Sequence, residues 1–89
     1  MKKKIAVIIR DRQPEALRMA VGLTLANDEV NVFVMDRGIE KTDDTAMGLQ
    51  ALSDMGVRIY SNIHDSGFTF MDTGSIAHFL IDCDAVLPY

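Results

Sequence analysis

The chain opens with the unit KIAVIIRDRQPEALRMAVG, residues 4–22, in which a strand, a charged turn and a helix follow one another. Residues 5–9 are all apolar and mostly Ile or Val, a pattern that predicts a central strand buried on both faces. Pro14 suits a first helical turn, where its missing N–H is not needed, and Glu15 places a carboxylate near the positive helix end. This unit predicts a doubly wound α/β domain, in which ligands usually bind beside the turn that follows a strand.

The next part of the chain repeats the alternation of helix and strand. Apolar positions at helical spacing extend the first helix to about Asn27 and Asp28. Residues 30–35 alternate Val with Asn, Phe and Met, which predicts a second strand. Thr42 is a good N-cap and Gly56 stands at the expected C′ position, so the two residues mark the ends of a second helix.

The last third of the chain is less regular. Residues 57–60 predict a short third strand, and residues 61–72 form the longest segment without a periodic pattern. Asp72 or Thr73 can cap a third helix, and residues 85–87 predict a final edge strand. The chain of 89 residues therefore reads as one domain with the order β-α-β-α-β-α-β.

This order of elements predicts a three-layer sandwich around a mostly parallel, flavodoxin-like sheet. Right-handed crossovers, with the most apolar strand near the centre, favour the strand order 2-1-3-4. The first helix would then lie alone on one face and leave the third and fourth strands uncovered there. Another subunit would cover this surface, whereas Arg58 and Tyr60 are polar enough to let it face water instead. We expect an oligomer.

Composition excludes several classes of protein. The formal net charge is −4, which argues against a nucleic-acid partner. Cys83 is the single cysteine and cannot form an intramolecular disulfide, which favours a reducing compartment. The apolar run behind the amino-terminal lysines is too short for an export signal, and no stretch is long enough to span a membrane. We expect a cytoplasmic protein.

Charged and polar residues follow each of the first three predicted strands. Because the carboxyl ends of parallel strands meet at one edge of a sheet, we expect a ligand-binding site there. Its candidate residues are Arg10, Asp11, Arg12, Asp36, Arg37, Asn62 and His64. The arginines could hold a carboxylate or phosphate beside two helix ends, or they could form surface ion pairs with the adjacent aspartates. The first turn contains no glycine, so it has neither nucleotide-binding motif, and we predict no cofactor.

Two further residues are candidates for chemistry. His64 beside Asp65 and Ser66 suggests acid-base catalysis, although a solvated loop histidine explains the same pattern. Cys83 is the one possible sulfur carrier or thiolate nucleophile, but it falls on the apolar stripe of the third helix, which favours a buried structural thiol. A metal site from His64, His78 and Cys83 lacks close ligand spacing, so we predict no metal.

The chain resembles the DsrE/DsrF-like family of small α/β proteins, which includes subunits of sulfur relays. The resemblance covers residues 1–89 as a single DsrE-like domain. It is carried by the segments KKIAVII, LRMAVGL, VNVFVMD, MGVRIY and DAVLPY. It implies a cytoplasmic subunit that assembles with itself or with related subunits, commonly as a trimer or hexamer. Sulfur-carrying members keep a cysteine after the third strand, where this chain reads SNIHDS, residues 61–66.

These observations favour a non-catalytic, oligomeric binding or accessory subunit. An enzyme is disfavoured, and if the chain is one, the resemblance implies a sulfurtransferase. Two alternatives stay open: a sulfur carrier that uses Cys83, and a protein that binds small anions at the carboxyl ends of the strands.

Overall fold

The computed structural model describes residues 3–26, 28–64 and 67–89. Strands and helices alternate along them as follows: β1 (Lys4–Ile9), α1 (Gln13–Leu25), β2 (Glu29–Val34), α2 (Asp43–Asp54), β3 (Ile59–Ser61), β4 (Thr69–Phe70), α3 (Thr73–Ile81) and β5 (Ala85–Pro88). The predicted α/β class is confirmed. The expected helix end at Asn27 lies outside the described residues.

All strand pairings among the described residues are parallel, and the sheet has the order β4-β3-β2-β1-β5. The predicted order 2-1-3-4 is wrong, because it placed the second strand at an edge. Five of the six residues of β2 are buried, as in β1, so β2 needs neighbours on both sides and covering layers on both faces. The chain therefore adds β2, β3 and β4 in one direction and returns to the far side of β1 with β5.

One helix lies on a different face from the one expected: α2 packs on the same face as α1 instead of beside α3. Both α1 and α2 pack on the face of β1 and β2 that carries Val7 and Val32, where Leu17 and Leu52 complete the main core. The helix that lies alone is α3, whose Ile76 packs on the face that carries Phe33. The prediction of an isolated first helix followed from the wrong strand order and fails with it.

Local signals at helix ends are confirmed where they were clearest. The Thr42 side chain accepts from the N–H of Thr45 and caps α2. Gly56 follows α2 with a φ of 74°, a conformation that glycine adopts without strain. Asp72, one of the two predicted caps of α3, accepts from the N–H of Ser75. In contrast, β4 was not predicted, because it is two residues long within the irregular segment.

This architecture separates two ends of the sheet. We call the end that carries the loops after β1, β2, β3 and β4, and the end of β5, the carboxyl edge. We call the opposite end, where β1, β2, β3 and β5 begin, the amino edge. Among the described residues, none of the helices is both long enough and apolar enough to cross a bilayer.

Candidate functional site

The carboxyl edge brings three of the predicted ligand-binding residues into one connected group. Arg10 follows β1, Asp36 follows β2 and Asn62 follows β3. The guanidinium Nε of Arg10 lies 3.0 Å from Oδ2 of Asp36. Asn62 donates from Nδ2 to Oδ1 of Asp36 at 3.3 Å and to Oγ1 of Thr73 at 3.3 Å. One chain of contacts thus joins the loops after three neighbouring strands to the start of α3.

Asp36 is the residue on which this group converges. Its φ is 72°, in the left-handed region that Asp and Asn tolerate better than other side chains with a Cβ. Its backbone N–H donates to Oδ1 of Asn62 at 3.0 Å, so the same asparagine holds both the backbone and the carboxylate of Asp36. The unusual backbone therefore aims the carboxylate at Arg10 while the chain turns away from β2.

Gln13 braces the same edge from within and was missed by the sequence analysis. Its side chain is 3% exposed. Its Nε2 donates to the backbone oxygens of Arg10 and Gly38 at 3.1 and 3.0 Å, and its Oε1 accepts from the N–H of Glu40 at 2.8 Å. Gln13 shares the buried stripe of α1 with Ala16, Leu17 and Ala20, and this helical spacing is the signal that could have identified it. The amide fastens the turn after β1 to the loop after β2.

A second ion pair crosses between the same two loops. Nη1 of Arg37 lies 3.3 Å from Oδ1 of Asp11. The arginines thus form surface ion pairs, which was the predicted alternative to anion binding. Arg10 and Arg37 pair across two loops, however, and not with the aspartates beside them in sequence. The side chains of both pairs, Arg10 with Asp36 and Arg37 with Asp11, are 46% to 74% exposed, so each pair contributes about 0 to 1 kcal/mol. They orient the loops more than they stabilise the fold.

The crevice between β1 and β5 is the place where open α/β sheets usually bind ligands, because the strand order reverses there. In this chain Tyr89 occupies it. The backbone oxygen of Tyr89 accepts from the N–H groups of Asp11 and Arg12, both at 3.2 Å. The guanidinium of Arg12 lies 5.1 Å from the centroid of the Tyr89 ring and 3.5 Å from a carboxylate oxygen of Glu15. The backbone donors that a bound phosphate would need are therefore already used by the chain.

His64 does not join the contacts around Asp36. Its ring stacks on that of Phe70, with centroids 3.8 Å apart and planes inclined by 11°. It forms no hydrogen bond or ion pair with the other described residues of this edge. Asp65 and Ser66, which follow it in sequence, lie outside the described residues. His64 covers one face of the Phe70 ring, and Phe70 remains 42% exposed.

Cys83 lies at the amino edge, two residues before β5 begins, and is therefore separated from the Asp36 group by the length of the sheet. Its thiol is partly buried and approaches the backbone oxygen of Phe79 at 3.7 Å. Desolvation raises the pKa of the Cys83 thiol, and the charges of Asp82, Glu29 and Asp84 add to this rise while that of Lys4 opposes it. The thiolate is thereby disfavoured at neutral pH.

Within residues 3–26, 28–64 and 67–89, no group of three or more His, Cys, Asp or Glu side chains is arranged to hold a metal ion. A groove of about 490 Å³ lies beside the first turn of α2. Its apolar wall consists of Ile39, Ala46, Leu49 and Phe68. Thr45, the buried polar residue in this wall, is fully engaged with Thr42 and the backbone oxygen of Glu40. The groove therefore offers shape and apolar surface, and the buried hydroxyl of Thr45 is already hydrogen-bonded within the chain.

Comparison with known proteins gives no relative for this chain: no protein-family model, no curated protein and no solved structure matches it. The resemblance to DsrE/DsrF-like proteins therefore stays a prediction from sequence.

Proposed function

We propose that this chain is a non-catalytic binding or accessory subunit that assembles with further copies of itself. The observation that carries the proposal is the uneven cover of the sheet. Two helices cover one face, whereas α3 is the one helix on the other face among the described residues. Ile81 at the end of α3 is 77% exposed, and Val86 of β5, which pairs with Ala6 and so points to the α3 face, is 38% exposed.

The occupant we propose for this surface is a second copy of the chain. β5 is an outermost strand of the sheet, and its outer side has no strand partner among the described residues. An edge strand beside exposed apolar side chains is a surface that can pair with its own copy about a twofold axis. Such pairing would cover Val86 and extend the sheet across the interface. A hexamer, one of the states that the family resemblance implies, contains such twofold contacts when it is built as a dimer of trimers or a trimer of dimers.

Chemistry at Cys83 is a weaker explanation of the same structure. A sulfur carrier needs an accessible thiolate, and the raised pKa of Cys83 works against one. The connected group of Arg10, Asp36 and Asn62 lies at the opposite edge of the sheet and cannot assist a transfer at Cys83. Anion binding at the carboxyl edge is also disfavoured, because Arg10, Arg12 and Arg37 each already face a carboxylate.

Assembly is tested by light scattering coupled to size-exclusion chromatography across micromolar concentrations. We expect wild type to run as an oligomer and Ile81→Lys to need at least a tenfold higher concentration to assemble, because a charge would be buried at the interface. Met47→Lys is the matched control: Met47 is also an apolar helix residue, 72% exposed, but lies on α2 at the other face. A monomeric wild type, or equal weakening by both variants, would contradict the proposal.

A further inference from the structure

A hollow of about 410 Å³ opens at the amino edge, on the face of the sheet that α3 covers. It lies beside the carboxyl-terminal part of α3 and is separate from Asp36 and its partners. Three strands and the helix contribute to it. Its principal lining residues are Lys4, Glu29, Asn31, Arg58, Tyr60 and Phe79.

Asn31 is the lining residue of this hollow whose buried amide nitrogen has no hydrogen-bond partner in the part of the chain that the structure describes. It stands in β2, next to Ala6 of β1, and is 9% exposed. Among the described residues, its Nδ2 is the one buried side-chain nitrogen or oxygen without a hydrogen-bond partner. Leaving such a donor unpaired costs free energy, since the amide has lost its water without gaining an acceptor. An apolar residue of similar volume would avoid this cost, so the asparagine calls for another explanation.

The two cations of the hollow form no ion pair with a described residue, although the Glu29 carboxylate lines the same hollow. Nζ of Lys4 lies 4.3 Å above the centroid of the Phe79 ring, a cation–π contact that leaves its N–H groups free for another partner. Neither Lys4 nor Arg58 forms an ion pair with any residue that the structure describes. This differs from the carboxyl edge, where Arg10 and Arg37 are paired.

The aromatic walls define the remaining chemistry. Tyr60 stacks on Phe33 with ring centroids 5.4 Å apart, and Phe79 meets Phe33 edge-on at 5.3 Å. Both rings are partly exposed towards the hollow and held in place by a buried neighbour. A flat apolar group can therefore rest on fixed surfaces, which lowers the entropic cost of binding.

We propose that the amino-edge hollow binds a small organic carboxylate that carries an aromatic or flat apolar group. Arg58 and Lys4 match its charge, Tyr60 and Phe79 contact its apolar part, and the Asn31 amide donates to a carboxylate oxygen. Nδ2 has almost no accessible surface in the free protein, so binding requires the amide to turn about χ2 and exchange its nitrogen and oxygen. Glu29 at the same site disfavours ligands with a second negative charge.

Benzoate is a suitable probe, and benzamide is its neutral counterpart of nearly the same shape. In titrations followed by ¹⁵N–¹H NMR, we expect saturable shifts of the Asn31 side-chain amide and of the backbone around Arg58 and Tyr60. Benzamide should bind at least tenfold more weakly, because it lacks the charge that the cations recognise. Inorganic phosphate, added as a third probe, should give no saturable shift at these positions.

Three variants complete the test. Arg58→Gln should raise the dissociation constant for benzoate about tenfold, and Asn31→Leu should abolish the saturable shifts. Arg18→Gln should leave the constant unchanged, because Arg18 is an exposed arginine of α1 without an ion pair to a described residue and lies on the other face of the sheet. The proposal is overturned if benzoate gives no saturable shift, if benzamide binds equally well, or if either hollow variant binds like wild type.

Discussion

A buried amide side chain lies at each of the two edges of the sheet, and the two amides differ in their hydrogen bonding. At the carboxyl edge, Gln13 is 3% exposed and uses both its donor and its acceptor atoms on three backbone groups. At the amino edge, Asn31 is 9% exposed and its Nδ2 has no partner. Residues at the first edge stabilise the loops that follow the strands, whereas the second edge retains an unpaired donor and unpaired cations. Stability and the capacity to bind are thus placed at opposite ends of the same strands.

The largest effect should come from removing the satisfied amide. In Gln13→Leu, the backbone oxygens of Arg10 and Gly38 and the N–H of Glu40 lose their partner in partly buried positions. We expect the free energy of unfolding to fall by about 3 kcal/mol, roughly 1 kcal/mol for each lost hydrogen bond. Urea denaturation at a fixed protein concentration measures this change.

Gln50→Leu is the matched control, because Gln50 is an exposed helical amide whose Nε2 reaches Asp54 at 2.9 Å. We expect its effect to stay within about 0.5 kcal/mol. If Gln13→Leu costs no more than this control, the bonds of Gln13 do not brace the carboxyl edge.

Replacing the unpaired amide of Asn31 should change the free energy of unfolding in the opposite direction. In Asn31→Leu, a buried donor without an acceptor is replaced by an apolar side chain of similar volume, next to Ala6 and the Phe33 cluster. We expect the free energy of unfolding to rise by about 1 kcal/mol. The same measurement in urea, at the same protein concentration, detects it.

Asn62→Leu makes the same exchange at the carboxyl edge, where the asparagine holds Asp36 and Thr73. We expect the free energy of unfolding of this variant to fall by about 1 kcal/mol, because an N–H and a carboxylate oxygen of Asp36 lose their partner. Equal effects of the two asparagine variants would remove the distinction between the edges.

The sequence predicted those parts of the fold that depend on the residues of a single segment. The unbroken apolar run of residues 5–9 and the caps Thr42 and Gly56 depend on local chemistry, and the structure confirms them. Strand order depends on which strands require neighbours on both sides. The double-faced apolar pattern of residues 30–35 carried this information, but the greater apolarity of the first strand was given more weight, and the order was wrong.

The candidate site also has a part that the sequence predicted and a part that it did not. That Arg10, Asp36 and Asn62 meet followed from the rule that parallel strands end at one edge, and the structure places them in contact. The contact between Arg10 and Asp36 involves a left-handed backbone at Asp36, which no sequence pattern indicated. Asn31 was seen only as one member of an alternating strand, since an unsatisfied donor becomes visible only when its neighbours are known.

The smallest effect concerns α3, which links the two edges: it begins at the carboxyl edge with Asp72 and reaches the amino-edge hollow with Phe79. The N–H and hydroxyl groups of Ser75 donate to the Asp72 carboxylate and lower its pKa. A carboxyl group with a lowered pKa in the folded state adds stability that is present above its unfolded pKa and is lost as the pH falls through the folded value. Wild type should therefore melt at a higher temperature than Asp72→Asn near pH 6, and this difference should shrink as the pH falls below the usual Asp pKa of about 3.9 and through the lowered folded value. Asparagine still accepts a hydrogen bond at the N-cap but does not titrate, so the difference between the two proteins isolates Asp72 from the other carboxylates. Circular dichroism melts from pH 2 to 7 measure it, and a difference that stayed constant over this range would show that the Asp72 charge does not support the start of α3.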